Sequence, residues 1–250
     1  MLTDLLALTP VQIVLCILII FIAYVVKGLS GFGSGLIAIP LLAFMLPLTY
    51  VVPLLGLVSY SGTIMQSMQL RKQVAWRDIW PLLPFSIFGV LIAIWLLVTL
   101  DPLLLIRALG VFVFVYACYS LLPKINFSGS RLWAIPAGGF AGVVGALFGT
   151  GGPFYVIYLR LRQLDKNQFR ASIAMLFLID GGVRIAGYTV SGLYTVNLLL
   201  MLLLLLPVLF LAMYTGNHLH LKLNQHRFNQ LVSSLLLISG LMLVYKSFAV

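Results

Sequence analysis

Residues 27–40 read KGLSGFGSGLIAIP, a glycine-rich interruption in an otherwise apolar chain. From Gly28 to Gly35, four glycines and two serines occupy eight positions. Glycine costs about 1 kcal/mol of helix propensity relative to alanine, and backbone released from a helix at membrane depth needs partners in protein or in a water-lined cavity. The stretch therefore predicts a helix break at a place where something polar is held.

A second interruption, GTGGP at residues 149–153, lies 118 residues downstream. At this offset Gly31 aligns with Gly149, and Gly33 aligns with Gly151. Matching interruptions in the two halves of a chain are the best sequence indication of a transporter's binding site. The sequence therefore predicts a first repeat over residues 1–123, a cytoplasmic linker over 124–131 and a second repeat over 132–250.

The composition is that of an integral membrane protein, whose surroundings are the lipid bilayer. Of 250 residues, 62% are hydrophobic and 8% are charged, whereas soluble domains carry about 25% charged residues. The net charge of +10 does not indicate a nucleic-acid partner, because the basic residues occupy short loops between apolar runs. Cys16 and Cys118 lack the spacing of a disulfide or a metal site, and we expect no metal and no cofactor.

The apolar runs predict an all-α polytopic membrane protein with two inverted repeats, each a glycine-broken helix pair followed by three transmembrane helices. Each broken pair returns to the side from which it entered, so the three further spans give the two halves opposite orientations. A basic loop is expected over residues 160–170. The predicted helical segments are 11–27, 36–46, 49–69, 80–99, 104–122, 133–148, 154–161, 171–190, 196–216 and 229–248.

The basic residues set the orientation of these spans. With the loop 71–78 in the cytoplasm, twelve of the fifteen Lys and Arg residues lie on the cytoplasmic side, as the positive-inside rule predicts. Both termini are then predicted to lie outside the cytoplasm. The N-terminus carries Asp4 and no basic segment, which predicts that no signal peptide is cleaved.

Asp180 and Arg184 are charged residues inside the predicted span 171–190. They are four positions apart, so they share a helix face and can pair, and charges at that depth usually face a cavity or a partner. In one interpretation Arg184 binds an oxyanion through its planar guanidinium, and Asp180 orients Arg184 or carries a coupling proton. The alternatives are a structural ion pair, or an Arg184 side chain that extends to the outer interface.

The interruptions also supply helix N-termini, whose free N–H groups and positive dipole end favour anions. Ser34 is expected to cap a helix that starts near Gly35, and Pro153 suits a first helical turn. Close crossing of helices is the alternative explanation for the glycines. The candidate substrate-binding residues of the two interruptions are Gly31, Gly33, Ser34, Gly35, Gly149, Thr150, Gly151 and Gly152.

At the same offset the first-half counterparts of Asp180 and Arg184 are Gly62 and Gln66. Ser59, Thr63 and Gln66 fall at spacings of four and three, which places them on one helix face. That face either lines a cavity, with Gln66 as a substrate-binding residue, or holds helices together through hydrogen bonds.

Other motifs are weak. His218, His220 and His226 cluster in the last cytoplasmic loop, where a solvated loop is a far commoner explanation than a metal site. No Ser/His/Asp arrangement lies at one membrane depth, so an enzyme is the least favoured class.

The run GLSGFGSGLIAIP at residues 28–40, with a degenerate echo from Gly142 to Tyr158, resembles the TauE/SafE group. These are the sulfite exporter-like permeases, also called the toluene sulfonate uptake permease family. The resemblance covers nearly the whole chain, although Tyr158 stands where the family often has proline. It implies a carrier in the cytoplasmic (inner) membrane of a bacterium or archaeon, for small and often sulfur-containing anions such as sulfite or organosulfonates.

We therefore expect a secondary transporter (permease) that moves a small anionic substrate by alternating access of two inverted halves. A passive anion channel would share the broken helices but would not saturate at millimolar substrate. A non-transporting membrane partner subunit would need the glycines for assembly and not for flux. The sequence leaves open the substrate, the direction, the coupling ion and the oligomeric state, a homodimer included.

Overall fold

The computed structural model describes residues 9–30, 33–121, 129–219 and 241–242. Within these ranges it has ten α-helices, two 3-10 turns at Arg71–Gln73 and Arg131–Trp133, and no strand. The helices are α1 (Pro10–Ser30), α2 (Ser34–Leu42), α3 (Leu48–Leu70), α4 (Trp76–Ile79), α5 (Leu83–Thr99), α6 (Pro102–Leu121), α7 (Ala134–Phe148), α8 (Gly152–Leu161), α9 (Lys166–Val190) and α10 (Val196–Leu219).

Several of these helices have the length and composition of membrane spans, which confirms the prediction of an all-α polytopic membrane protein. The last predicted span, 229–248, lies outside the described residues except for 241–242, which are helical. Among the described residues, five helices are long and apolar enough to cross a membrane: Val11–Gly28, Pro102–Tyr119, Arg131–Phe148, Asn167–Val190 and Val196–Gly216. Shorter apolar helices are found at Leu48–Ile64 and Leu83–Thr99.

The basic loop expected over 160–170 is present as a helix connection, but its predicted bounds are too wide. Helix α8 continues to Leu161, and α9 already begins at Lys166. The carboxylate of Asp165 accepts hydrogen bonds from the backbone N–H groups of Asn167 and Gln168, which satisfies two of the donors that a helix start leaves free. This N-cap shortens the connection to four residues, 162–165.

Both predicted interruptions are present as helix breaks with matching boundaries. Ser30 and Phe148 end the first helix of each pair, Ser34 and Gly152 begin the second, and both matches are separated by 118 residues. The expectation that Ser34 caps α2 is wrong, because Gly33 is the N-cap residue with φ 96° and Ser34 is already helical. A side chain at Gly33 would be strained at that angle.

One compact unit consists of residues Met1–Val51, Leu100–Pro123 and Thr195–Val250. In its described part, α1 packs against α10 and α2, and α2 also contacts α6. Cys16, Ala23 and Tyr24 are buried residues of α1.

The other compact unit consists of residues Val52–Thr99 and Lys124–Tyr194. Its most extensive helix contact joins α5 to α7, and α9 packs on α5 and α8. The crossing of α5 and α7 brings backbones together, because a Cβ added at Gly142 would overlap the carbonyl oxygen of Ser86. Close crossings of this kind are how glycine serves helix packing in membranes.

Each compact unit combines helices from both predicted sequence repeats, since the first contains α10 and the second contains most of α3 together with α5. Packing units group residues by contact and not by sequence similarity. The division of the chain into repeats 1–123 and 132–250 therefore stays a prediction.

Candidate functional site

Arg184 lies inside the second compact unit with its guanidinium held by two groups. Nη1 donates a 2.7 Å hydrogen bond to the carbonyl oxygen of Gly145 on α7, and Nη2 lies 2.9 Å from Oδ2 of Asp180. The predicted pairing at four-residue spacing is confirmed. The alternative in which Arg184 extends to the interface is wrong, because its side chain is 16% exposed and turns inward onto α7.

The carboxylate of Asp180 is held from a second direction. Its Oδ1 accepts a 2.7 Å hydrogen bond from the Ser86 hydroxyl of α5, and that hydroxyl lies 2.5 Å from the Tyr155 hydroxyl of α8. Asp180, Ser86 and Tyr155 are all at most 2% exposed. Sequence analysis did not single out Ser86 and Tyr155. A hydroxyl inside an apolar helix needs a hydrogen-bond partner, and this need was the sequence signal that could have identified them.

The second helix break lies against this ion pair. A Cβ added at Gly145 would be 3.5 Å from the Cα atom of Gly151 and 3.7 Å from Nη1 of Arg184. The guanidinium and the break therefore border the same small space. Gly149 is the C-cap residue of α7 with φ 61°, and Gly151 is the N-cap residue of α8. Pro153 stands in the first turn of α8 as expected.

Four buried side-chain atoms in the break, in the ion pair and on Tyr194 have no hydrogen-bond partner among the residues that the structure describes. They are the hydroxyl oxygens of Thr150 and Tyr194, Oδ2 of Asp180 and Nε of Arg184. Buried polar groups are usually hydrogen-bonded, and those that are not need an explanation such as an ion or ligand.

Tyr188 contacts α7, and Tyr194 packs against Tyr188. The hydroxyl of Tyr188 donates to the carbonyl oxygen of Ala146 at 2.5 Å, and the ring of Tyr194 stands edge-on to that of Tyr188 with centroids 6.2 Å apart. Burial raises the pKa of the Tyr194 phenol above its ordinary value, against a smaller lowering by the nearby Arg184 charge. Tyr194 therefore remains a neutral hydrogen-bond donor at physiological pH.

A separate charged network holds the ends of several elements of this unit. Oδ1 of Asp78 lies 3.2 Å from Nε of Arg131 and 2.9 Å from Nε of Arg162, and Arg162 also donates to the carbonyl oxygen of Gly129. The hydroxyl of Tyr158 donates to the backbone carbonyl of Asp78 at 3.0 Å. Tyr158, which stands where proline was expected, thus joins α8 to α4 through a hydrogen bond.

The other predicted site residues belong to the first compact unit or lie outside the described residues. Gly33, Ser34 and Gly35 belong to the first compact unit, and Ser34 is 5% exposed. Gly31 and the side chain of Gln66 lie outside the described residues. The convergence of the two breaks stays a prediction.

Three hydroxyl side chains of α3 bond to the backbone of their own helix. The hydroxyls of Ser61, Thr63 and Ser67 donate to the backbone carbonyls of Val58, Ser59 and Ile64. These bonds lie within α3 and do not show that this face holds helices together, so both interpretations of the face stay predictions. Within the described ranges no group of three or more His, Cys, Asp or Glu side chains has metal-binding geometry, and His220 and His226 fall outside those ranges.

An apolar helical chain with a buried arginine–carboxylate pair beside a broken helix has the architecture of a membrane transport protein. The family model described as Sulfite exporter TauE/SafE matches residues 16–243, and the chain belongs to that family. It is 27% identical over 176 residues to the "Probable inner membrane transporter protein TsaS" of Comamonas testosteroni, an alignment that covers 69% of this chain and 73% of that protein. No solved structure matches the chain.

Proposed function

We propose that the protein is a secondary carrier of small anions in the cytoplasmic membrane, with sulfur oxyanions such as sulfite and organosulfonates as its substrate class. The observation that carries this proposal is the buried guanidinium of Arg184, whose Nε has no partner in the described chain, beside the break at Gly149–Gly152. The family description and the name of the relative support the substrate class and the inner-membrane location.

The donors around the break suit an oxyanion. A guanidinium offers five N–H donors in a planar fork that matches tetrahedral and carboxylate oxygens, and only part of this set is engaged by Gly145 and Asp180. The hydroxyls of Thr150 and Tyr194 add two neutral donors, and the first turn of α8 adds the positive end of a helix dipole. An anion would satisfy these groups together.

The two matching breaks support a carrier in preference to an enzyme or an assembly subunit. Their boundaries coincide at the offset of 118 residues, which is expected if each half contributes one broken pair to an inverted repeat. We infer alternating access of these halves, and both termini outside the cytoplasm from the distribution of Lys and Arg.

A thermal-shift screen of the purified protein tests the anion site directly. Sulfite, sulfate, thiosulfate, methanesulfonate and a carboxylate would each be added to the wild type and to the double variant Asp180→Asn/Arg184→Gln, which removes both charges so that neither is left unpaired. A ligand at one hundred times its dissociation constant stabilises a protein by about 2.7 kcal/mol. We expect stabilisation by sulfur oxyanions in the wild type alone. No stabilisation by any anion, or an equal effect in the double variant, would refute the site.

A matched pair of buried threonines sharpens the test. The hydroxyl of Thr150 has no partner in the described structure, whereas that of Thr63 donates to Ser59 on its own helix. Thr150→Val is therefore expected to weaken anion binding about fivefold to tenfold, the effect of one lost hydrogen bond. Thr63→Val is expected to leave anion affinity unchanged.

A further inference from the structure

We propose that Asp180 is the coupling group of the carrier, and that one proton enters the site with each monovalent anion. The inference rests on the proposed anion site at Arg184 and adds to it the identity of the coupling ion and the atom that binds it.

The two carboxylate oxygens of Asp180 have different surroundings. Oδ1 accepts the hydrogen bond of Ser86. The Ser86 hydroxyl has one hydrogen, which it uses to donate to Asp180. In its 2.5 Å hydrogen bond with the Tyr155 hydroxyl, Ser86 must therefore be the acceptor. Oδ2 lies 2.9 Å from Nη2 of Arg184, yet no hydrogen bond to Oδ2 is aligned within the described chain. A proton can therefore bind at Oδ2 while Oδ1 keeps the carboxyl group in place.

Charge balance gives the reason for coupling. In the empty site the charges of Arg184 and Asp180 cancel. A monovalent anion that takes the guanidinium would leave Asp180 as a buried charge without a counterion, which is strongly unfavourable. Transfer of one proton from a hydronium ion in bulk solution breaks an O–H bond there, leaves water and forms an O–H bond on Oδ2. The occupied site again has a net charge of zero. Release of the anion returns the proton to water and restores the ion pair.

Among the described titratable groups near the site, Asp180 is the one candidate for the coupling group. Helices α5 and α7 carry no titratable residue. The 3-10 turn Arg71–Gln73 and α4 contact α9 near Ser172, about 12 Å along the helix from Asp180. Their charged residues are Arg71, Lys72, Arg77 and Asp78. The titratable groups packed near Asp180 are Tyr60 of α3, against Gly181 and Gly182, Tyr155 of α8, Arg184 and Tyr188 of α9, and Tyr194. Among the described residues these include no second carboxylate.

Methanesulfonate is the sharpest probe, because it stays fully ionised between pH 5 and pH 9 and any effect of pH on its binding must come from the protein. With one proton taken up per anion, wild-type affinity is expected to rise about tenfold for each unit by which pH falls. In Asp180→Asn this dependence is expected to vanish. Asp101→Asn, at an exposed carboxylate between α5 and α6, is the matched control and should keep it.

Proteoliposomes supply a second measurement on the wild type that needs no variant to fold. A dye inside the vesicles counts protons while methanesulfonate flux is measured, and we expect one proton per anion and accumulation driven by an acid exterior. A proton count of zero, or affinity independent of pH, overturns the coupling and leaves the anion site standing. A pH dependence that survives in Asp180→Asn overturns the assignment to Asp180. Failure of the wild type to bind methanesulfonate or sulfite at any pH overturns the proposed function itself.

Discussion

The crossing of α5 and α7 gives a prediction that can be worked from the coordinates. A Cβ added at Gly142 would overlap the carbonyl oxygen of Ser86 and lie 3.0 Å from the amide nitrogen of Val90. Both are backbone atoms in the interior of α5 and cannot move without moving the helix. Overpacking of this kind costs about 1–3 kcal/mol, so Gly142→Ala is expected to destabilise the protein by that amount.

Gly139 is the matched control, because it lies on the same helix and an added Cβ there would have nothing within 4 Å. Gly139→Ala is expected to be neutral or to stabilise by up to about 1 kcal/mol, the gain in helix propensity. The two variants should therefore differ by about 1–4 kcal/mol in thermal unfolding of the purified protein in one detergent. Equal stability would refute the backbone contact, and with it the account of how Ser86 is held beside Asp180.

Three further outcomes are expected from substitutions in the second compact unit. Arg162→Ala should lower thermal stability more than Arg131→Ala, because Arg162 bonds both Asp78 and Gly129 while Arg131 makes one longer contact and is 39% exposed; equal losses would contradict this ranking. Tyr158→Phe should cost about 1 kcal/mol of stability through the lost bond to the Asp78 carbonyl, and no loss in an unfolding assay would show that the bond adds nothing. Tyr194→Phe should leave the stability of the ligand-free protein unchanged, because its hydroxyl has no partner among the described residues. It should nevertheless weaken anion binding in a titration, and unaltered affinity would remove Tyr194 from the site.

Sequence patterns predicted the elements of this fold well, because the signals involved are local. Long apolar runs and interrupting glycines are read directly from the chain, and both breaks are helix breaks in the structure. The pairing of Asp180 with Arg184 was also predictable, since residues four apart share a helix face. The N-cap at Asp165 was available from the same kind of signal, an aspartate that precedes a helix, but the surrounding basic residues favoured a loop.

Contacts between distant segments could not be predicted in the same way. Ser86 and Tyr155 lie on different helices and meet Asp180 only because α5, α8 and α9 pack together. In the sequence, Arg131 and Arg162 counted only as basic residues that set the membrane orientation. In the structure they pair with Asp78, which lies more than fifty positions away in the chain. Serine is a common N-cap residue, so the sequence favoured Ser34 as the cap of α2. The actual cap is Gly33, whose positive φ is seen only in the backbone geometry.

Counterflow in proteoliposomes tests the central claim, that this protein is an anion carrier with its site at Arg184, most directly. Vesicles loaded with unlabelled sulfite and diluted into trace labelled sulfite should accumulate label transiently above equilibrium, because a carrier returns occupied in exchange. The overshoot should saturate with external sulfite and disappear in Asp180→Asn/Arg184→Gln. Flux without an overshoot or saturation would indicate a channel. An overshoot that persists in the double variant would place the anion site elsewhere, and no flux of any tested anion would contradict transport itself.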